Sequence, residues 1–279
     1  MKNNQQLFRE LVHAFAAMGV DSPEAEARMV LEKTFGRDFK LLVLENFQVS
    51  DDDERKITEI IERRAKHEPI QYILGVAPFY NFDLLVNSSV LIPRPETEIL
   101  VEYLVNNIPR NGTLLDIGCG SGTIGVTVAF ERSDVQVSAL DISCDALEVA
   151  KLNAERHNIK NIRFTQSNLF ENVTGKFDFI AANLPYIPEN EYLECAPEVL
   201  NYEPQLALTA ENEGLELIYK TAEAAPNFLN PSGEIIFENG HNQAEKIMAF
   251  LASLKSFSQI SAINDYNNYL RFTRAKLSD

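Results

Sequence analysis

Leu7, Leu11, Phe15 and Met18 recur three and four residues apart, with Gln6, Arg9, Glu10 and His13 between them. That spacing predicts an amphipathic helix whose apolar stripe faces a core. The helical pattern runs from residue 3 to about 67: Ser22-Pro23-Glu24 reads as a cap with proline at the first helical position, and Asp51 to Asp53 precede Ile57, Ile60 and Ile61 at helix-face spacing. No stretch of this part alternates as a strand would. Phe79 to Val86 followed by Val90-Leu91-Ile92 predicts a hairpin turned near Asn87-Ser88. These patterns divide the chain into a helical domain at 1–75, a hairpin linker at 76–92 and a third part at 93–279.

In that third part the period changes. Short apolar runs at Thr113 to Ile117, Val135 to Leu140, Ile162 to Thr165, Phe177 to Ala182, Glu234 to Phe237, 257 to 263 and 269 to 275 read as strands. Helical patterns begin near Gly122, Ser143, Leu215 and Gln243 between them. Such alternation predicts an α/β fold with a doubly wound, largely parallel sheet, preceded here by a small all-α domain.

Charge and cysteine content narrow the classes of partner. The 25 Lys and Arg against 41 Asp and Glu give a formal net charge of −16. Residues 1–90 hold 11 basic and 15 acidic groups, and 91–279 hold 14 and 26, so the acidity belongs mostly to the second part. A chain so charged repels phosphate backbones and offers no basic footprint for nonspecific nucleic-acid binding. Cys119, Cys144 and Cys195 form no C-x-x-C and no disulfide framework, which points to a reducing compartment, by default the cytoplasm. No apolar run approaches the roughly 18 residues of a membrane span, and Arg9, Glu10 and His13 interrupt what a signal peptide would keep apolar. The four histidines, His13, His67, His157 and His241, show no metal-ligand spacing.

Leu114-Leu115-Asp116-Ile117-Gly118-Cys119-Gly120-Ser121-Gly122 runs from an apolar strand into a helix, with glycines where a backbone must pass close to a ligand. Gly120 to Gly125 also satisfies G-x-G-x-x-G, so a dinucleotide site stays open as a reading. Asp141 ends the next strand, where a carboxylate takes both hydroxyls of a ribose, as in NAD and S-adenosylmethionine sites alike. Asp116 separates the two: a carboxylate there suits the cationic amino end of a methionine moiety and would repel a pyrophosphate. Ser121 has no His/Asp relay and is not read as a nucleophile. The D-x-G-x-G-x-G of Asp116 to Gly122 resembles motif I of the class I, seven-stranded S-adenosylmethionine-dependent methyltransferases.

Asn183-Leu184-Pro185-Tyr186 follows the strand Phe177 to Ala182, on the same rim. A planar amide nitrogen is a poor nucleophile because its lone pair is delocalised. Two acceptors around its N–H groups, the Asn183 side-chain oxygen and the Leu184 carbonyl, hold the lone pair toward a methyl donor while Tyr186 stacks on the flat group. The segment resembles the Asn-Pro-Pro-Tyr motif of amino-methyltransferases acting on planar nitrogens, with Leu184 in place of the commoner proline. A turn with a tyrosine lid is the alternative reading of the same four residues.

Four further segments carry a closer resemblance. His67 to Gly75, Val90-Leu91-Ile92-Pro93-Arg94-Pro95-Glu96-Thr97-Glu98, Asn183 to Tyr186 and Glu203 to Leu208 resemble, in order, the signatures of the peptide chain release factor glutamine methyltransferase family, the HemK type. The resemblance implies S-adenosylmethionine as cofactor and the N5 amide nitrogen of the glutamine in the Gly-Gly-Gln loop of bacterial class 1 release factors as acceptor. Arg94 between two prolines reads either as an active-site wall residue or as part of a capped helix start after a proline stop; the resemblance implies that this segment lies beside the methionine end of the cofactor and that Asn168 and Leu169 belong to the cofactor site. The chain departs from the family at Asn168, where Asp is usual, and at Asn239, where an aliphatic residue is more common. An adenine-N6 nucleic-acid methyltransferase, a noncatalytic S-adenosylmethionine- or nucleotide-binding module and an NAD-dependent oxidoreductase are the rival readings. The first would want a basic groove and the last a hydride site that the sequence does not show.

Overall fold

Helices Asn4–Ala17, Pro23–Phe35, Phe39–Leu44, Asp51–Arg64 and Ile70–Leu74 build the first of two compact units, residues 1–75, in the computed structural model, which describes residues 2–278. Leu7, Leu11 and Phe15 are buried, as their spacing requires. A reciprocal capping box opens the first helix: the Gln6 N–H donates to Asn3 Oδ1 at 2.8 Å and the Asn3 N–H to Gln6 Oε1 at 3.0 Å. The fourth helix is capped by Ser50, whose hydroxyl accepts from the Asp53 N–H at 3.1 Å, and Asp51 to Asp53 occupy the first turn, where the helix dipole favours negative charge.

The second unit spans 76–279. It opens with a hairpin of β1 (Val76–Phe79) and β2 (Phe82–Leu85), paired so that Phe79 faces Phe82. Its turn is Tyr80-Asn81, with Tyr80 at φ 55°, not Asn87-Ser88 as the sequence pattern indicates. A turn does form at Asn87: the Val90 N–H donates to its carbonyl at 3.1 Å and the Ser89 N–H to its Oδ1 at 2.9 Å. The chain beyond it finds no strand partner, and residues 90–96 run on without regular structure.

Nine further strands follow: β3 (Thr113–Ile117), β4 (Gln136–Asp141), β5 (Ile162–Gln166), β6 (Phe177–Ala182), the two-residue pair β7 (Ile187–Pro188) and β8 (Thr209–Ala210), then β9 (Leu229–Glu238), β10 (Phe257–Asn264) and β11 (Leu270–Leu277). Seven of them form one sheet in the order β10-β11-β9-β6-β3-β4-β5, parallel from β9 to β5 and antiparallel at β10 and β11. This is the doubly wound α/β fold that the alternating pattern predicts.

The central strands are apolar almost throughout because both faces are covered. Leu114, Phe179 and Ile236 pack under the helices Thr97–Asn107 and Gly125–Glu131. Leu115, Ile180 and Phe237 pack under Glu216–Ala224 and Ala244–Ser253. Among the described residues, no helix is long and apolar enough to cross a membrane, and no His, Cys, Asp and Glu cluster is placed to hold a metal ion.

Candidate active site

β3 and β6 lie side by side with Ile117 opposite Ala182, and the chain leaves them toward opposite halves of the sheet. The loops that follow therefore meet at a switch point at the strand carboxyl ends, the usual ligand crevice of an open α/β sheet. A cavity of about 450 Å³ opens there. Gly118 to Ser121 line it from the end of β3, Asp141 from β4, Asn168 and Leu169 from β5, Asn183 to Pro185 from β6, and Arg94 from the irregular 88–97 segment. Asp116, Gly122 and Tyr186 are not on its wall.

The glycine turn is folded back on β4: the Gly118 and Cys119 N–H groups both donate to the Leu140 carbonyl, at 2.9 and 2.8 Å. Gly120 has φ 54°, and a Cβ there would meet nothing within 4 Å, so the backbone borders open space in which a ligand fits. Gly122 serves packing instead, since at φ 85° a Cβ would lie 2.4 Å from Val126 Cγ2.

Asp141 is pinned by two backbone donors, Gly120 N–H on Oδ2 at 2.8 Å and Ser143 N–H on Oδ1 at 2.9 Å. Each oxygen keeps a free lone pair, which leaves the carboxylate able to accept both hydroxyls of a ribose. Burial pushes its pKa up, against the pull of those donors.

Asp116, which the sequence reading sets against a methionine amino group, lies fully buried beneath the turn. Its Oδ2 accepts from the Gly125 N–H at 2.8 Å, capping the helix Gly125–Glu131 from below, and its Oδ1 has no partner among the described residues. Burial lifts this carboxyl to about 7. The free N–H at a helix start is a strong attractor for a carboxylate, which explains why the side chain turns to the backbone.

On the β6 side, neither the side-chain amide of half-buried Asn183 nor the main-chain carbonyl of Leu184 makes a hydrogen bond among the described residues. Tyr186 packs half-buried against the apolar layer under β6 and β9; its carbonyl accepts from Gln243 Nε2 at 2.8 Å, and burial, with Glu238 next in weight, pushes the phenol pKa up. Asn168 is exposed and donates to Glu171 Oε1 at 3.0 Å, leaving Leu169 as the apolar contact at this corner. Asn239 is fully buried and holds β9 to β11, donating to the Leu270 carbonyl at 3.0 Å and accepting from the Thr273 hydroxyl at 2.8 Å.

Two positions beside the cavity have partners that the sequence pattern does not reveal. Asn153 is fully buried in the helix Cys144–Arg156 and donates to the Ser121 carbonyl at 2.9 Å and the Leu85 carbonyl at 3.0 Å, while accepting from the Leu85 N–H at 2.6 Å. An amide spaced three and four residues after Ala150 and Val149, on the buried face, is the signal that marks it. Glu203 is the other: its carboxylate accepts from Arg94 Nη2 at 2.6 Å and from the Ile92 N–H at 3.2 Å.

Residues 6–75 match the family described as PrmC N-terminal domain, and residues 95–206 match the methyltransferase small domain. A release factor glutamine methyltransferase of Chlorobaculum tepidum is 34% identical over 283 residues, covering 94% of this chain and 93% of that protein. The chain belongs to the release factor glutamine methyltransferase family. It also matches a bifunctional methyltransferase of Rickettsia typhi, 39% identical over 82% of the chain, and spans about half the length of that relative, 49%. A solved methyltransferase from Pyrococcus furiosus shares the fold, with a TM-score of 0.56 at 18% identity, over 82% of this chain and 100% of that one.

Release factor glutamine methyltransferases of this methyltransferase fold use S-adenosylmethionine, and the residues present here suit it. The open space at Gly120 admits a ligand against backbone, and Asp141 keeps two acceptor positions for hydroxyls.

Proposed function

We propose that this chain transfers a methyl group from S-adenosylmethionine to the N5 side-chain amide nitrogen of the glutamine in the Gly-Gly-Gln loop of bacterial class 1 release factors. The observation that carries the reading is the pair of unpaired acceptors, Asn183 Oδ1 and the Leu184 carbonyl, on the wall of the cavity that also holds Gly120 and Asp141. The relatives named for this reaction support the same substrate class.

Asp141 and the glycine turn hold the cofactor, with Leu169 against its adenine. The cofactor supplies an electrophilic methyl carbon. Asn183 and Leu184 would accept the two amide N–H groups and thereby fix the plane of the amide, directing the nitrogen lone pair at the methyl carbon without prior deprotonation. As the N–C bond forms the donor's S–C bond breaks, S-adenosylhomocysteine leaves, and the methylated nitrogen releases one proton to solvent. Pro185 stiffens the loop carrying both acceptors; Tyr186, expected from the sequence to stack on the amide, packs instead against the apolar layer beneath the loop and anchors it. The test is incubation with labelled S-adenosylmethionine and a purified release factor, with the methyl located by mass spectrometry. Label on the Gly-Gly-Gln glutamine supports the proposal, and label found only on nucleic acid overturns it.

A further inference from the structure

Among the described residues that line the cavity, Arg94 is the one cation; the other charged ones are Asp141 and Asp145. Its surroundings are unusual for a loop arginine. Pro93 and Pro95 flank it, so the backbone on either side lacks an N–H and has a fixed φ, and the segment cannot be held by ordinary ladder bonds. Glu203 does the holding from 109 residues away. One of its carboxylate oxygens takes Arg94 Nη2 at 2.6 Å and the other takes the Ile92 N–H at 3.2 Å. The Glu203 side chain is 2% exposed, whereas Arg94 keeps 33% exposure toward the cavity.

A carboxylate buried this deeply loses its hydration, and an ion pair in such a place is a weak source of stability compared with apolar packing. Its geometry is better explained by what it fixes. Arg94 Nε and Nη1 have no partner among the described residues, so one edge of the planar guanidinium is tied to Glu203 and another is left to donate. Glu203 also leads into Pro204, Leu206 and Ala207, which line the cavity as well. One residue thus couples two lining segments that are distant in sequence.

We propose that Glu203 is a positioning residue for methyl transfer, holding Arg94 so that its free guanidinium N–H groups receive an oxygen of a bound reactant. The inference rests on the proposed function. The oxygen is either the carboxylate of the cofactor or the carbonyl of the acceptor amide, and both are strong acceptors for a guanidinium.

The experiment compares Glu203→Gln, Arg94→Gln and the double variant with the parent. It measures S-adenosylhomocysteine binding by calorimetry and methyl transfer to a whole release factor at saturating cofactor. Glu203→Gln keeps the shape but accepts only one of the two bonds. Each single variant loses roughly 10- to 100-fold, the range for hydrogen bonds to charged groups. The loss falls on S-adenosylhomocysteine affinity if the oxygen belongs to the cofactor, and on KM or kcat with unchanged affinity if it belongs to the amide. The double variant loses no more than Arg94→Gln alone, because Glu203 acts through Arg94. Parental values for Glu203→Gln in both assays, or losses that multiply in the double variant, overturn the proposal. A thermal melt guards against simple unfolding: a loss of function that follows the fraction unfolded at the assay temperature also overturns it. Should the parent bind S-adenosylhomocysteine yet methylate no release factor, the functional reading fails, and calorimetry alone then decides the role of Glu203.

Discussion

In the proposed function Asn183 serves the amide acceptor and Asp141 the methyl donor, and substitution separates the two roles. Asn183→Ala removes one of two groups that orient the amide, an effect comparable to the loss of one preorganised dipole elsewhere, so turnover falls by about 100-fold or more. S-adenosylhomocysteine affinity stays parental in that variant. Asp141→Ala behaves conversely, losing about 1.5–3 kcal/mol of S-adenosylhomocysteine binding, the worth of charge-assisted hydrogen bonds. Calorimetry and single-turnover methylation on the two variants check the division, and a common loss in both assays contradicts it. Two buried carboxyls give a second residue-scale outcome. Asp116 and Glu238 are lifted by burial from 3.8 and 4.5 to about 7 each. Their folded-state pKa lies above the unfolded value, so their contribution to stability is full below about pH 4 and is lost as pH rises through about 7. Urea midpoints measured at about pH 5.5 and about pH 8 register that loss, and Glu238→Gln, which keeps an acceptor for the Thr97 hydroxyl, narrows the difference between them.

Most elements were legible because their causes are local. β3 and β6 stand at the residues their apolar runs predict, and Ser143 caps the helix Cys144–Arg156 by accepting from the Ala146 N–H at 3.2 Å. The helix after the glycine turn starts at Gly125, three residues later than its sequence pattern indicates, because its cap is Asp116 on the strand beneath, a partner no local signal marks. The hairpin turn departs from its sequence pattern for a related reason: Asn87-Ser88 has turn chemistry and uses it, but pairing belongs to Phe79 and Phe82 on either side of Tyr80-Asn81. Of the site, the glycine turn, Asp141 and the Asn183 loop could be read because each ends a strand, and every such end faces the same rim. Asn153 and Glu203 could not be assigned roles, since their partners lie 32 and 68 residues away for the first and 109 and 111 for the second. Asn153 joins three elements at once, the helix, the end of β2 and the turn at Ser121. Asn153→Leu leaves the Leu85 N–H and two carbonyls without partners, and each buried orphan costs about 1–3 kcal/mol, so a clear fall in urea midpoint follows, together with weaker S-adenosylhomocysteine binding. Parental values for both would mean that the turn holds its shape without this amide.

At the scale of the whole molecule, the cavity is lined entirely by residues between Ser88 and Leu217, all within the second unit. The first unit, about a quarter of the chain, is therefore more than a cofactor pocket requires, and we propose that it offers a surface for docking the protein substrate. Charge points the same way. The chain carries −16 overall, and residues 177–219, which include the Asn183 loop and Glu203, hold nine Asp and Glu with no Lys or Arg. Such a field steers a basic protein surface inward and repels duplex DNA, and it is weakened by salt. A release-factor loop that works among ribosomal RNA is expected to be flanked by basic residues, which suits this field. Binding energy from remote contacts is spent in orienting the glutamine at the reacting centre, so a truncated substrate loses turnover as well as affinity. The intact release factor is accordingly methylated far faster than a short Gly-Gly-Gln peptide, the advantage shrinks as ionic strength rises, and duplex DNA receives no methyl group. Single-turnover rates on the three substrates at low and high salt decide the matter. Equal rates on factor and peptide would reduce the helical unit to a stabiliser of the fold, and transfer to DNA would return the acidic surface to the status of an unexplained charge.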